Sequence, residues 1–284
     1  MIDYGKAFSF FTEDEHWLEK LGIGVGVYIG SFVVALLVAI VPSFLFYLIM
    51  PWPVASNLAS GLTYFLSIML IVGYGLRLMN NVRAGDPRPL PVWDDWGNDL
   101  IRGFKLVVVA IIWTLPLILL SIPTAIGISI SDNGSASMSA FGSMMALCGG
   151  CLSLLYWLFL AVAAPGYTLA FLRDEQIQSG VRFDVVYRWT RDNLASIVPV
   201  ALVTFLAGII IFFLGVVAGA ILLCVGWLIT LPLGVLLPVL IQYHLYGQLA
   251  RAFPMDVTST PDQDVNGGPG APAEGDFAPP ALPA

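Results

Sequence analysis

Long apolar runs alternate with short polar segments along almost the whole chain. A helix that crosses a bilayer needs about 20 mainly apolar residues to span a hydrocarbon core of about 30 Å. Backbone polar groups cannot stay unpaired in hydrocarbon, so these runs should be helical despite internal prolines, which predict kinks. The pattern predicts six spanning helices, at residues 21–49, 57–78, 104–130, 140–172, 194–222 and 225–249. We therefore expect an all-α integral membrane protein with a transmembrane domain over residues 21–252.

The composition supports this class, because 58% of the 284 residues are hydrophobic, only 11% are charged, and the mean hydropathy is +0.87. Average soluble domains are far less apolar. Residues 1–20 are acidic where a cleavable signal needs a basic start, so we expect an amphipathic cytoplasmic segment that is retained. Residues 253–284 are rich in Pro, Gly, Ala and Asp, which predicts a disordered cytoplasmic tail.

The basic residues predict an orientation. They flank the N-terminal segment, the second and fourth connections between predicted spans, and the C-terminal tail, while the other three connections have none. Positive charge beside a span is retained in the cytoplasm. This distribution predicts that both termini are cytoplasmic, and it independently favours an even number of spans. The twelve residues are Lys6, Lys20, Arg77, Arg83, Arg88, Arg102, Lys105, Arg173, Arg182, Arg188, Arg191 and Arg251.

A motif that occurs three times divides the chain into units of about 12–80, 90–172 and 183–250. Each unit opens with a Trp followed by an acid and a leucine, and closes with Tyr-x-Leu. We interpret each as a short cytoplasmic interfacial segment followed by a helical hairpin, with the aromatic residues as headgroup-level anchors rather than a binding site. The anchors are Trp17, Trp96, Trp189, Tyr74, Tyr167 and Tyr243.

The second of these segments contains a denser motif. Pro91 is expected in a first helical turn, with Asp94 and Asp95 near the positive end of the helix dipole. The sequence Gly73-Tyr74-Gly-Leu-Arg77, then Gly85-Asp86, Leu90-Pro91 and Trp93-Asp94-Asp95-Trp96-Gly97, resembles the membrane family known as domain of unknown function 4013.

That resemblance implies a multi-pass prokaryotic membrane protein, here assigned to the plasma membrane, and it implies no activity, cofactor or catalytic residue. It extends less distinctly to residues 246–253 and excludes the tail. We take the motif as a candidate interaction site on the cytoplasmic face. Its residues are Gly85, Asp86, Leu90, Pro91, Trp93, Asp94, Asp95 and Trp96.

Two other groups were weighed for chemistry. Cys148 and Cys151 are spaced like a redox or metal pair, but no further ligand is placed beside them, which favours close helix packing by small residues. The acidic cluster that includes Asp94, Asp95 and Asp99 could act as acid and base only if the carboxylates converged, and neighbouring aspartates on a helix point about 100° apart. We therefore expect no catalytic or metal-binding residues, no cofactor and no nucleic-acid partner.

These observations favour a non-enzymatic membrane component that interacts with membrane lipid or a partner protein through its cytoplasmic face. A permease or export component for a small neutral or lipid-like solute is the first alternative, since discontinuous helices can bind solutes through backbone groups. A membrane-embedded enzyme that uses the aspartate cluster is the second. The sequence does not fix the oligomeric state.

Overall fold

The computed structural model describes residues 2–45, 52–222 and 226–255. All regular elements in these ranges are helical. In chain order they are α1 (Tyr4–Ser9), a short 3-10 helix (Phe10–Glu13), α2 (Trp17–Leu45), α3 (Trp52–Ala84), α4 (Trp96–Asn133), α5 (Ala136–Leu172), α6 (Ile177–Gly180), α7 (Phe183–Asp192), α8 (Leu194–Ile221) and α9 (Trp227–Ala252). The end of the first predicted span at 46–49, the start of the sixth at Val225, and the predicted tail from residue 256 lie outside the described residues.

Five of the described helices are long and apolar enough to cross a membrane, judged by length and composition. They are Gly61–Ala84 within α3, Trp96–Asp132 within α4, and the whole of α5, α8 and α9. The prediction of an all-α membrane protein is confirmed at this level. Helix α2 is not among the five, and part of its predicted span lies outside the described residues.

Helices α4, α5 and α8 turn many large apolar side chains outward. Phe141, Leu147 and Phe213, for example, are each more than half exposed. A soluble protein rarely leaves so much apolar surface open to water, whereas lipid is a suitable solvent for it. This surface therefore indicates helices that face lipid.

Helices α3 and α9 lie at the centre of the bundle, where α3 contacts α2, α4 and α9. Glycines allow the closest of these approaches. A Cβ added to Gly73 on α3 would overlap the backbone carbonyl of Asp99 on α4, and one on Gly103 of α4 would overlap the carbonyl of Met69 on α3. Backbones in such contact leave no room for a side chain, so these two glycines fix how α3 crosses α4.

The polar segments at residues 2–20, 85–95, 173–193 and 253–255 meet at one end of the bundle, which we name the charged end. Three contacts define it: Lys20 with the carbonyl of Leu90, Arg102 with Glu175, and Trp189 with the carbonyl of Phe253. The N-terminal segment joins it through a pair of hydrogen bonds between Asp3 and Gln248 on α9. The starts of α2, α4 and α8 and the ends of α3, α5 and α9 thus lie on one side.

Candidate functional site

The candidate site is the loop of residues 85–95, which connects α3 to α4 at the charged end. Gly85 ends α3 in the left-handed conformation, with φ at +84°. Its N–H donates to the carbonyl of Val82, and the Asp86 N–H donates to the carbonyl of Asn81. Glycine is the usual residue at this position because it has no Cβ to clash. Gly85 therefore directs the chain out of the helix and into the loop.

Four consecutive carbonyls of the loop each accept a hydrogen bond from a different side chain. One donor lies on α2 and three lie on α3. The bonds are Asn81 Nδ2 to Pro89 O at 2.9 Å, Lys20 Nζ to Leu90 O at 2.8 Å, Tyr74 Oη to Pro91 O at 2.8 Å and Arg77 Nη2 to Val92 O at 2.8 Å. We name this set the carbonyl clamp. It holds the loop in an extended form without any secondary structure of its own.

The clamp explains why one local prediction was wrong. Pro91 was expected in the first turn of a helix, but the segment before Trp96 is not helical and α4 begins only at Trp96. The side-chain bonds hold residues 89–92 in a non-helical path, in which Val92 O accepts both from Arg77 Nη2 and from the Asp94 N–H. Long-range side-chain bonds have overridden the local preference for a helix start.

The two tryptophans of the motif, Trp93 in the loop and Trp96 at the start of α4, lie in different environments. Trp93 is 7% exposed, stacks on Tyr74 with ring centroids 3.9 Å apart, and donates its indole N–H to the carbonyl of Lys20. Trp96 is 43% exposed, and its indole N–H donates to the carbonyl of Trp93. Trp93 is therefore part of the core, and Trp96, at the start of α4, has its ring partly exposed on the surface.

Two arginines form ion pairs with the carboxylates of the acidic cluster. Arg77 lies 2.7 Å from Asp94 and 2.7 Å from Asp99, whose side chain is fully buried. Arg102 contacts Asp95 at 3.3 Å, Asp99 at 3.7 Å and Glu175 at 2.9 Å. The Arg77 hydrogen bond holds the pKa of Asp94 below its ordinary value. With each of these carboxylates beside a guanidinium, the arrangement is that of an ion-pair network, which crosslinks α3, α4 and the end of α5.

A second ion pair joins the N-terminal segment to the same loop. Lys20 and Asp14 are both nearly buried and lie 2.7 Å apart. Burial alone would raise the pKa of Asp14, but the hydrogen bonds from Lys20 and from the His16 N–H, together with the Lys20 charge, hold it below its ordinary value. Because Lys20 also donates to Leu90 O, this pair connects α2 to the carbonyl clamp.

The six aromatic anchors predicted from the repeat lie mostly inside the protein. Trp189 is buried and bonded to the carbonyl of Phe253, while Trp17 is half-buried beside Phe11. Tyr74 and Tyr243 are buried, and Tyr167 is half-buried and stacked on Trp113. Trp96 is the exposed member of the six, and the others contribute to packing between helices.

The remaining candidates are separate from this loop. Cys148 and Cys151 are free, exposed thiols on α5. Cys224 lies outside the described residues. Within the part of the chain that the structure describes, no group of three or more His, Cys, Asp or Glu side chains could hold a metal ion.

Two clefts open at the charged end. One, of about 600 Å³, lies between the N-terminal segment, the start of the loop and the end of α9, and its walls include Lys6, His244 and Arg251. The other, of about 580 Å³, lies between the ends of α3 and α5 and the start of α4. We name the second one the arginine cleft, because Arg77, Arg83, Arg102 and Arg173 line it.

A family model identifies the family to which the chain belongs. The family described as "Protein of unknown function (DUF4013)" matches residues 58–224, which is more than half of the chain. The chain belongs to this family. The matched region includes the loop and the arginine cleft but not Lys20 or α9, and the fainter resemblance expected at 246–253 lies outside it. No curated protein and no solved structure matches the chain.

Several residues of the site were not singled out from the sequence. Lys20 and Asn81 hold the loop through its carbonyls, and Glu175 binds Arg102 from a turn with its φ at +56°. Lys20 and Leu90 are 70 residues apart, so no local pattern links them. The available signal was weaker: basic and acidic residues crowd the same polar segments in near-equal number, which is compatible with ion pairs.

Proposed function

We propose that this protein is a non-enzymatic, multi-pass membrane component that interacts with membrane lipid through its charged end. The observation that carries the proposal is the presence of exposed aromatic and arginine side chains on two elements, α4 and α7, which together we name the interfacial ring. It consists of Trp96 at the start of α4 and of Phe183, Tyr187, Arg188 and Arg191 on α7.

The interfacial ring has the chemistry of a headgroup contact. Trp96, Phe183 and Tyr187 are each about half exposed, while the opposite face of α7 buries Val186 and Trp189. Aromatic rings favour the depth of the headgroups. Arg188 and Arg191 form exposed ion pairs with Asp184 and Asp192, and exposed pairs are weak enough for the arginines to exchange them for anionic lipid. Helix α7 thus has an inner face that holds it to the bundle and an outer face suited to the membrane surface.

The state of the acidic cluster supports a role without catalysis. A general acid or base must reach its substrate with a carboxyl group that can exchange a proton. Here Asp99 is fully buried, and Asp94 and Asp95 are bound to Arg77 and Arg102. Their charges are used to hold the loop in place, which favours a structural role for the cluster.

The proposed topology follows the distribution of positive charge. We place six spans in three hairpins, α2 with α3, α4 with α5, and α8 with α9, with both termini in the cytoplasm of a prokaryotic cell. The packing of the two helices within each pair and the meeting of the polar segments at one end support this arrangement. The charged end would then face the cytoplasmic leaflet.

Unbiased crosslinking and affinity purification from native membranes test the proposal. We compare the intact chain with a triple variant of the ring, Trp96→Ala, Phe183→Ala and Tyr187→Ala, at matched expression. A matched control replaces three exposed rings on the lipid-facing body, Phe141→Ala, Phe212→Ala and Phe213→Ala. Trp93 is kept, because its removal would disturb the core.

We expect crosslinked phospholipid to decrease in the ring variant and to stay unchanged in the control. If a specific protein is lost instead and lipid is retained, the charged end is a protein-docking site and the lipid proposal is wrong. If neither lipid nor protein changes, the interfacial ring has no role in interaction.

A further inference from the structure

Part of the positive charge that lines the arginine cleft belongs to side chains without an ion pair or hydrogen bond among the described residues. Three carboxylates line it, and each has a partner inside the protein. Asp95 and Glu175 contact Arg102, and Asp174 accepts hydrogen bonds from the Gln176 N–H and the Ser179 hydroxyl. Arg77 and Arg102 are likewise engaged, with Asp94, Asp95, Asp99 and Glu175.

The other two arginines of the cleft differ. Arg83, in the last turn of α3, and Arg173, directly after α5, have no ion pair or hydrogen bond with any described residue. Cations near helix C-termini interact favourably with the helix dipole, and this accounts for each arginine alone. It does not account for two of them lining one cleft of about 580 Å³ beside the polar side chain of Asn80.

The turn that carries Arg173 is held firmly. The Glu175 N–H donates to the carbonyl of Phe171, and the Glu175 carboxylate contacts Arg102 on α4 at 2.9 Å. On the other side of the cleft, Arg83 belongs to a helix that the Arg77 network joins to α4. The elements bearing the two free guanidinium groups are therefore fixed relative to each other before any ligand arrives, which lowers the cost of binding.

We propose that Arg83 and Arg173 bind the phosphate group of a membrane phospholipid in the arginine cleft. A guanidinium group donates two parallel hydrogen bonds to phosphate oxygens, and it is less strongly hydrated than an ammonium group. Four arginines and three carboxylates line the cleft, so the lining has a net positive charge that favours an anion. This inference rests on the proposed function and names the chemical group that the charged end recognises.

Lipid binding to the purified full chain tests the inference. The chain is prepared in a neutral detergent and titrated with short-chain phosphatidylglycerol, and lipid-bound species are counted by native mass spectrometry. The double variant Arg83→Gln/Arg173→Gln is compared with Arg182→Gln/Lys105→Gln, which removes the same charge from basic residues that do not line the cleft. We expect about thirtyfold weaker binding in the first variant and little change in the second.

Two further measurements make the result decisive. Arg83→Lys/Arg173→Lys keeps the charge but loses the paired N–H donors, so its binding should lie between that of the wild type and that of the glutamine variant, which separates loss of a site from loss of fold. Competition with glycerol 3-phosphate and with inorganic phosphate distinguishes the source: a lipid site keeps its lipid in their presence, whereas displacement at low concentration assigns the cleft to a soluble phosphate compound and overturns the lipid assignment.

The failure of this inference differs from the failure of the proposed function. If the wild-type chain binds phosphatidylglycerol and the cleft variant binds it equally well, the phosphate site is wrong and the interfacial ring can still hold lipid. Equal loss in the cleft variant and the charge control would also overturn the site, because net charge alone would explain it. If the wild-type chain binds no phospholipid, both proposals are wrong.

Discussion

The inner helices α3 and α9 and the outer helices α4, α5 and α8 are all apolar enough to cross a membrane, but the inner pair is the less apolar and has very different surroundings. In the most apolar stretches of α3 and α9, 56% and 44% of residues are buried in the protein, compared with 17% in α4 and 11% in both α5 and α8. The inner pair also carries most of the polar contacts of the charged end, through Tyr74, Arg77, Asn81 and Gln248. Hydrophobicity places a helix in the membrane, and specific polar and glycine contacts decide which helices form the centre.

The largest loss of stability should come from Arg77→Gln on the inner helix α3. The change leaves the fully buried Asp99 without its closest cation, and removal of one partner of a buried pair costs about 3–5 kcal/mol. Thermal unfolding in detergent measures the loss. Arg83→Gln is the matched control on the same helix, since Arg83 has no ion pair among the described residues, and it should change stability little. Equal stability of the two variants would contradict the network.

Asp99→Asn tests the same pair from the other side. Combined with Arg77→Gln, it removes the uncompensated charge, so the double variant should be more stable than Arg77→Gln alone. Simple additivity of the two single changes would show that Arg77 and Asp99 are not coupled.

A smaller loss is expected from Gly73→Ala on the inner helix α3. The new methyl group would overlap the carbonyl of Asp99, so α3 and α4 must separate, at a cost of about 1–3 kcal/mol. Gly61→Ala on the same helix meets no atom of the described part of the chain within 4 Å and should be neutral or slightly stabilising. The two midpoints of thermal unfolding should therefore differ. A neutral Gly73→Ala would show that the backbones are not in contact.

The carbonyl clamp can be weakened with a single atom. Tyr74→Phe removes the hydroxyl that donates to Pro91 O but keeps the ring that stacks on Trp93, so we expect a loss of about 1 kcal/mol. Proteolysis of the loop should become faster in this variant. Tyr167→Phe, which removes a hydroxyl without a hydrogen-bond partner among the described residues, serves as the control. No difference between the two would exclude a role for the Tyr74 hydroxyl.

The smallest effect is a dependence on pH through Asp14. Its pKa is lower in the folded state than in the unfolded chain, so its contribution to stability is full above the unfolded value of about 3.9 and disappears as the pH falls through the folded value. Thermal unfolding measured at decreasing pH should show a shallower acid loss in Asp14→Asn than in the wild type. An identical acid dependence would show that Asp14 does not contribute to the loss of stability in acid.

Features that depend on residues close together in the sequence could be predicted, and features that depend on contacts between distant residues could not. Apolar runs and charge placement are local, and they predicted the helical membrane class, while the glycine, proline and tryptophan motif predicted the family. The opposite environments of Trp93 and Trp96 could not be predicted, because they depend on Tyr74 and Lys20 arriving from other helices. Pro91 shows the same limit. The local pattern predicts a helix start there, but Tyr74 and Arg77 bind the carbonyls of Pro91 and Val92 and the segment is not helical.

If the charged end selects membrane lipid, the phospholipids that stay bound to the protein during extraction should differ from those of the bulk membrane. The full chain is extracted from native membranes, and its retained phospholipids are compared by mass spectrometry with those of the bulk membrane. We expect enrichment of anionic phospholipid on the wild-type chain, loss of this enrichment in the Trp96, Phe183 and Tyr187 variant, and no change in the Phe141, Phe212 and Phe213 control. Retained lipid with the same composition as the bulk membrane would contradict this expectation.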